Sequence, residues 1–389
     1  MENFIYSNKC EIIFGKQHEG EIAKAISGHY AKKVLIVFGS ERFRPMINRV
    51  TDEIKKLGIN TVEYGGVVAN PLLNHAELGV KLARDNNVDF ILAIGGGSVI
   101  DVAKFIAVGA IPHQNATTIF KSRTEPDNFQ ALSVGAVLTL PAAGSECSTA
   151  SVVRDDKTGE KFAMFSEAMR PVFAYINPEY CYTLPKEQIG YGASDIFAHL
   201  LERYFTSQQN VRFTDYLLEG AMKSMLEIAP KLYSNPKDYN LWAEFCLLGT
   251  LAHNDMLALG RIYQDWATHR IENKLLSGVQ NIAHGAGLAV LFPAWMRHVY
   301  KTKPDRIVDF CIRVIGVSGK NDSDIIDKGI EKLYDFYSSI GLKRNLTELN
   351  IDHKIVQNDA VKIFDANTKL GIYKILSLDD ILKIIELAK

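Results

Sequence analysis

The chain has 389 residues, 47% hydrophobic and 23% charged, with 44 Lys and Arg set against 45 Asp and Glu. That balance lacks the basic excess of a sequence-independent nucleic-acid binder, and the longest apolar runs fall short of the roughly 20 residues that span a bilayer. The length exceeds what one core usually supports, so two domains are expected. Cys10, Cys147, Cys181, Cys246 and Cys311 are widely spaced with no Cys-x-x-Cys pair. The first residues carry neither a basic region nor a long apolar core. Together these features predict reduced thiols in a cytoplasmic protein.

Residues 1–184 alternate short apolar runs with amphipathic stretches, the pattern of a parallel α/β layer. Strands are predicted at Val34-Leu35-Ile36-Val37-Phe38, Thr61-Val62-Glu63-Tyr64, Phe90-Ile91-Leu92-Ala93-Ile94 and Val137-Leu138-Thr139-Leu140-Pro141. Further strands are predicted at 151–153, 161–165 and 172–176. The run Phe90–Ile94 enters Gly95-Gly96-Gly97-Ser98 and then a stretch with helical spacing from Val99 through Asp101 and Lys104. Strand, glycine turn and helix start make a phosphate cradle, because bare backbone and free N–H groups can approach a pyrophosphate. The same stretch also reads as a tight turn that needs glycine backbone angles. Lys161 could reach an anion or could be a solvated strand lysine.

Residues 185–389 differ in kind. Helical patterns follow one another through 186–206, 211–233, 240–258, 260–276, 283–300, 304–316 and 323–339, with shorter ones near 355–368 and 378–388. In the first of them Asp195 and His199 stand four apart on one helical face among Ile196, Phe197, Ala198, Leu200 and Leu201. A buried carboxylate and imidazole need a partner, because burying them unpaired is costly. Two later histidines have telling surroundings: His269 within Asp265-Trp266-Ala267-Thr268-His269, read as helix, and His284 at the glycine-rich helix start His284-Gly285-Ala286-Gly287. A lone histidine is more often a hydrogen-bonded group than a ligand. With Asp195 and His199, however, these two complete a set of one carboxylate and three imidazoles. Such a set suits Zn²⁺ or Fe²⁺ with a position open to substrate. His253, His298 and His353 read as structural or exposed.

These motifs, in this order, resemble the iron-containing (metal-dependent) alcohol dehydrogenases, in particular their butanol dehydrogenase and aldehyde reductase branch. The resemblance runs from Phe14-Gly15-Lys16 through Asn70-Pro71, Gly95-Gly96-Gly97-Ser98, Thr139-Leu140-Pro141 and Gly144-Ser145-Glu146 to the four metal-site residues. It implies a Rossmann-like dinucleotide-binding domain (1–184), an all-helical metal-binding domain (185–389) and an active site in the cleft between them. Asp195, His199, His269 and His284 would be catalytic as the ligands of one divalent metal, Fe²⁺ or Zn²⁺. Gly96, Gly97, Ser98, Asp101, Thr139, Leu140, Ser145 and Lys161 would line the cofactor, together with Gly39, Ser40 and Asn70. Relatives are commonly homodimers.

An acid at the end of the second dinucleotide-domain strand holds a ribose 2′-OH and repels a 2′-phosphate. Gly39 and Ser40 stand there instead, with Arg42 and Arg44 nearby and Glu41 as a counter-charge, so NADP(H) is expected over NAD(H). Two positions depart from the family pattern: Asn273 stands where many relatives carry a histidine, and Ala143 where they carry threonine. The expected activity is the interconversion of aldehydes and primary alcohols by hydride transfer. Trp266, Leu288, Leu291, Phe292, Trp295 and Met296 suggest an apolar neighbourhood, which favours simple aldehydes over polyols. The competing readings are an NAD(H)-dependent polyol dehydrogenase of the glycerol type, a dehydroquinate synthase-like cyclase, and a non-catalytic dinucleotide sensor on the same fold.

Overall fold

Apolar runs rich in β-branched residues form the strands of the first unit. The computed structural model describes every residue except 17, 18 and 262. It divides into Ser7–Thr183 and a second unit made of Met1–Tyr6 with Leu184–Lys389. The first six residues, counted above with the α/β domain, thus belong with the helices. The Met1 amine donates to the Gln209 carbonyl at 3.2 Å and the Glu2 N–H to the Gly260 carbonyl at 3.3 Å.

In the α/β unit the strands are β1 (Glu11–Phe14), β2 (Lys33–Phe38), β3 (Asn60–Tyr64), β4 (Phe90–Gly96), β5 (Ser133–Leu140), β6 (Ala150–Arg154), β7 (Lys161–Phe165) and β8 (Phe173–Ile176). The helices are α1 (Gly20–Gly28), α2 (Arg44–Lys56), α3 (Leu73–Asp85), α4 (Gly97–Ala110) and α5 (Ala116–Ser122). Six strands form one sheet in the order β1-β8-β5-β4-β2-β3, every pair parallel. Such a sheet is covered on both faces, which is why β2 and β4 read as unbroken apolar runs rather than alternating ones. Ile22 and Ile26 of α1 and Ile47, Val50 and Ile54 of α2 pack with Val34, Ile36, Phe90 and Leu92 of the sheet. The chain leaves β2 toward β3 on one side and returns to β4 on the other, so the strand order reverses between β2 and β4. Ligands of open α/β sheets bind beyond the carboxyl ends of the strands at such a reversal.

Two local features depart from the sequence reading. β1, absent from it, is a four-residue edge strand held by β8 rather than by a pattern of its own. β6 and β7 leave the main sheet and pair with each other as an antiparallel hairpin.

The helical unit contains α6 (Lys186–Tyr204), α7 (Arg212–Ser234), α8 (Tyr239–Ala252), α9 (Ala267–Lys274), α10 (His284–Val299), α11 (Asp305–Phe310), α12 (Asp322–Ser339), α13 (His353–Ile363) and α14 (Leu378–Leu387). The helix expected over 260–276 begins only at Ala267; residue 262 of that range lies outside the described residues. Trp266 has a left-handed backbone (φ 61°), and Asp265 precedes the helix rather than sitting in it. Apolar periodicity is overridden here by hydrogen bonds. The Trp266 N–H donates to Glu202 at 2.7 Å, and the Ile372 and Tyr373 N–H groups each donate to the Asp265 carboxylate at 2.8 Å. Nearly all of α6 from Ile189 onward is buried, as is most of α10. The two helices cross at Gly285, where a Cβ would lie 2.1 Å from the Tyr191 carbonyl oxygen. Only glycine lets α10 approach so closely.

Candidate active site

In the helical unit, α6 presents Asp195 and His199 one turn apart, and both are buried. α9 contributes His269 in its first turn, also buried, and α10 begins with His284, whose side chain is the most open of the four at 26% exposure. All three imidazoles converge on one atom. Asp195 Oδ1 lies 3.7 Å from His199 Nδ1, 3.7 Å from His269 Nε2 and 3.6 Å from His284 Nε2. These separations are too long for hydrogen bonds. They suit ligands that share one ion, since bonds of about 2.1 Å to a tetrahedral centre put neighbouring ligand atoms about 3.4 Å apart. Asp195 Oδ1, His199 Nδ1 and His269 Nε2 are all buried without a hydrogen-bond partner among the described residues. Each such orphan costs about 1–3 kcal/mol, so a cluster of them pointing at one place calls for a cation. Asp195, His199 and His269 could hold a metal ion, with His284 reaching the same carboxylate oxygen.

Burial and neighbouring charges shift two of these rings in opposite directions. Burial, followed by the neighbouring His253 and His269, holds His199 well below the usual histidine range, so its ring is neutral and able to ligate. For His269 burial alone would depress the pKa, but Asp195 and Glu202 outweigh it and push it up to about 9. His253 is not remote: its ring centroid lies 4.3 Å from that of His199, and its Nδ1 is 3.1 Å from the Arg203 guanidinium. His298 and His353 pair with other carboxylates, Asp380 at 2.6 Å and Glu386 at 3.3 Å.

The apolar neighbourhood inferred from sequence is mostly core. Leu288, Leu291, Phe292, Trp295 and Met296 are at most 1% exposed. Only Trp266 and Phe292 of that set have rings against His269, with centroids 5.2 and 6.5 Å away.

The residues expected to line the cofactor all lie in the α/β unit, and most of them share the carboxyl edge of the sheet. Gly39 and Ser40 follow β2, Gly96 ends β4 and Gly97–Ser98 open α4, while Thr139 and Leu140 end β5. Because β2, β4 and β5 are adjacent and parallel, these turns stand side by side at the strand-order reversal. Gly39 is required for packing, since a Cβ there would meet the Val67 carbonyl oxygen at 2.8 Å. No side chain caps α4 at Gly96, which leaves its first N–H groups for an anion. Asn70 adopts a left-handed conformation just before α3 (φ 52°), and Lys161 opens β7.

Asp101 and Ser145 are hydrogen-bonded to each other. The Ser145 hydroxyl donates to Asp101 Oδ1 at 2.7 Å and accepts from the Lys104 ammonium at 2.9 Å. Burial raises the Asp101 carboxyl to about 6 against the pull of Lys104 and Ser145. These residues brace the loop after β5.

The family model for iron-containing alcohol dehydrogenase matches residues 10–178, and that for the C-terminal part of the Fe-containing alcohol dehydrogenase family matches residues 190–389. The chain is 36% identical to "Probable NADH-dependent butanol dehydrogenase 1" of Bacillus subtilis over 99% of each chain. It is 32% identical to an NADPH-dependent aldehyde reductase of Escherichia coli over the whole of both. The crystal structure of NADH-dependent butanol dehydrogenase A from Thermotoga maritima superposes with a TM-score of 0.93 at 33% identity, covering 100% of this chain and 99% of that one. The chain belongs to the iron-containing alcohol dehydrogenase family. It is an NAD(P)-dependent oxidoreductase of alcohols and aldehydes, and the family implies a nicotinamide cofactor and a divalent metal.

Two residues of this family member's site escaped the sequence reading. Glu202 accepts from His269 Nδ1 at 3.0 Å, and Glu272 accepts from His284 Nδ1. For Glu202 a signal existed: it continues the Asp195/His199 stripe at the i+7 position, where an acid on a buried helix also needs a partner.

Proposed function

We propose that Asp195, His199, His269 and His284 hold one divalent cation, Fe²⁺ or Zn²⁺, and that the chain interconverts aldehydes of butanal type and primary alcohols. The observation that carries this reading is the set of three imidazole nitrogens 3.6–3.7 Å from a single buried carboxylate oxygen. When bound, the ion would supply Lewis acidity toward a substrate oxygen and the nicotinamide would supply or accept the hydride. The chain's own part is arrangement. α6 presents two ligands in one rigid register, and burial excludes water from the cluster. The uncapped start of α4 offers its N–H groups to a pyrophosphate. Asn273, one turn beyond His269 on α9, cannot shuttle a proton as a histidine would, so proton exchange falls to water or a ribose hydroxyl.

The test is aldehyde-dependent loss of nicotinamide absorbance with butanal, before and after chelation of metal. Turnover should vanish on chelation and return with added Fe²⁺ or Zn²⁺. Undiminished turnover in metal-free protein would overturn the reading.

For the cofactor we retain NADP(H) as the preferred dinucleotide, because no acid follows β2 and Glu41 is held by Arg44 at 2.8 Å. The same pair weakens one support, since Arg44 also binds Glu63 and is not free for a 2′-phosphate. Arg42 is then the cation left for that role. Two relatives bear NADH in their names, so the preference is best decided by substitution. Ser40→Asp keeps the side-chain cap on the turn that follows while adding a negative charge. It is expected to lower kcat/KM with NADPH about tenfold or more and to spare NADH, since opposed like charges cost several kcal/mol. A wild-type enzyme faster with NADH than with NADPH would reverse the assignment.

A further inference from the structure

We propose that Glu202 and Glu272 are positioning residues for the metal, each locking one ligand imidazole through the ring nitrogen that faces away from the ion. The proposal rests on the metal reading above and extends it beyond the ligands.

Both side chains are 0% exposed. Glu202 Oε1 accepts from the backbone N–H of His269 at 3.0 Å and from its Nδ1 at 3.0 Å, while Oε2 accepts from the Trp266 N–H at 2.7 Å. A proton held on Nδ1 leaves Nε2 as a bare lone pair, and Nε2 is the atom that faces Asp195 Oδ1. Glu272 repeats the device on His284. Its Oε2 accepts from His284 Nδ1 and from the Ser277 hydroxyl at 2.9 Å, and His284 Nε2 then faces Asp195 Oδ1 at 3.6 Å. Gly287 makes room for this carboxylate, because a Cβ there would lie 2.6 Å from Glu272 Oε1.

The two carboxylates are used unequally. Both oxygens of Glu202 are engaged, one of them twice, and they also hold the start of α9. Glu272 Oε1 has no hydrogen-bond partner among the described residues. A glutamine at 272 can therefore keep both accepted bonds on its amide oxygen and turn its NH₂ toward the idle side, losing charge alone. A glutamine at 202 must aim an NH₂ at an N–H donor, which displaces either the His269 ring or the start of α9. With Asp195, the three carboxylates carry one more negative charge than a dication neutralises.

The test uses the full chain stripped of metal and titrated with Co²⁺, followed by its visible ligand-field bands, with Zn²⁺ affinity measured against a chelating dye. Glu202→Gln should weaken both ions about 10–100-fold and shift the Co²⁺ bands. Glu272→Gln should weaken them less and leave the band positions unchanged, whereas Glu272→Ala should move them. If Glu202→Gln does not fold, the two Glu272 variants still decide. Wild-type affinity and wild-type bands in the Glu variants, with only their melting temperature lowered, would reduce both residues to helix-end partners and overturn the proposal. If wild type itself binds neither ion, or Asp195→Asn binds as wild type does, the metal reading fails first and takes the proposal with it.

Discussion

Replacing His269 with alanine is expected to lower kcat/KM for aldehyde reduction by about a thousandfold or more, the equivalent of several kcal/mol of lost charge stabilisation at the substrate oxygen. The loss should be local. Glu202 keeps its bonds to the backbone N–H groups of positions 266 and 269, so the start of α9 survives the change. The orphaned Asp195 Oδ1 and His199 Nδ1 remain with His284, and metal affinity falls because only three of the four donors are left to close the set. Steady-state kinetics beside a metal titration and a melting curve would check this. Full activity in metal-stripped His269→Ala protein would sink the ligand assignment.

Lys104→Met is the second change with a large expected effect, and it acts in the other unit. The Lys104 ammonium is 0% exposed and donates to the carbonyls of Ser145 (2.7 Å), Ser148 (2.9 Å) and Ala150 (2.7 Å) and to the Ser145 hydroxyl (2.9 Å). Burial draws its pKa down to about 8, while Asp101 and Glu146 pull it back up. Through Ser145 it is joined to Asp101. Methionine would fill the space but leave four buried acceptors and an uncompensated carboxylate. The expected cost is about 3–5 kcal/mol, as when one partner of a buried charge pair is removed. The loop from Ala142 to Ser148 should loosen with it, raising the KM for the nicotinamide about tenfold, since a brace worth ~1.4 kcal/mol in binding corresponds to that factor. Chemical denaturation and dinucleotide titration would measure the two effects separately. Wild-type values in both would show that Lys104 braces nothing.

Much of this was legible in the sequence where the signal is local. Val34–Phe38 and Phe90–Ile94 announce buried parallel strands, because a run apolar on both faces has few other homes. The spacing of Asp195 and His199 places them on one helical face whatever surrounds them. Local reading failed where long-range hydrogen bonds outbid periodicity. Trp266 looks helical beside Ala267 and Thr268, yet Glu202, far back in the chain, takes its N–H and starts the helix one residue later. Leu288, Leu291 and Met296 looked like a substrate wall and proved to be core, because a hydrophobic helical face does not say whether it meets a ligand or another helix. The bonds that join Asp101 and Ser145 to Lys104 and Val152 were likewise illegible, because no local spacing foretells them.

By itself the sequence determined the two kinds of secondary structure, the glycine turns beyond the strands and the donor types of the candidate metal site. These follow from residue chemistry and short spacings. Only the tertiary structure decided that the three imidazoles meet at one oxygen of Asp195, that Glu202 and Glu272 hold two of those rings from behind, and that Lys104 clamps the loop after β5. The physical reason is that direction is not written in spacing. A histidine becomes a ligand when helix packing, here the close crossing of α6 and α10 at Gly285, aims its free nitrogen at a shared point and another side chain occupies the nitrogen behind it.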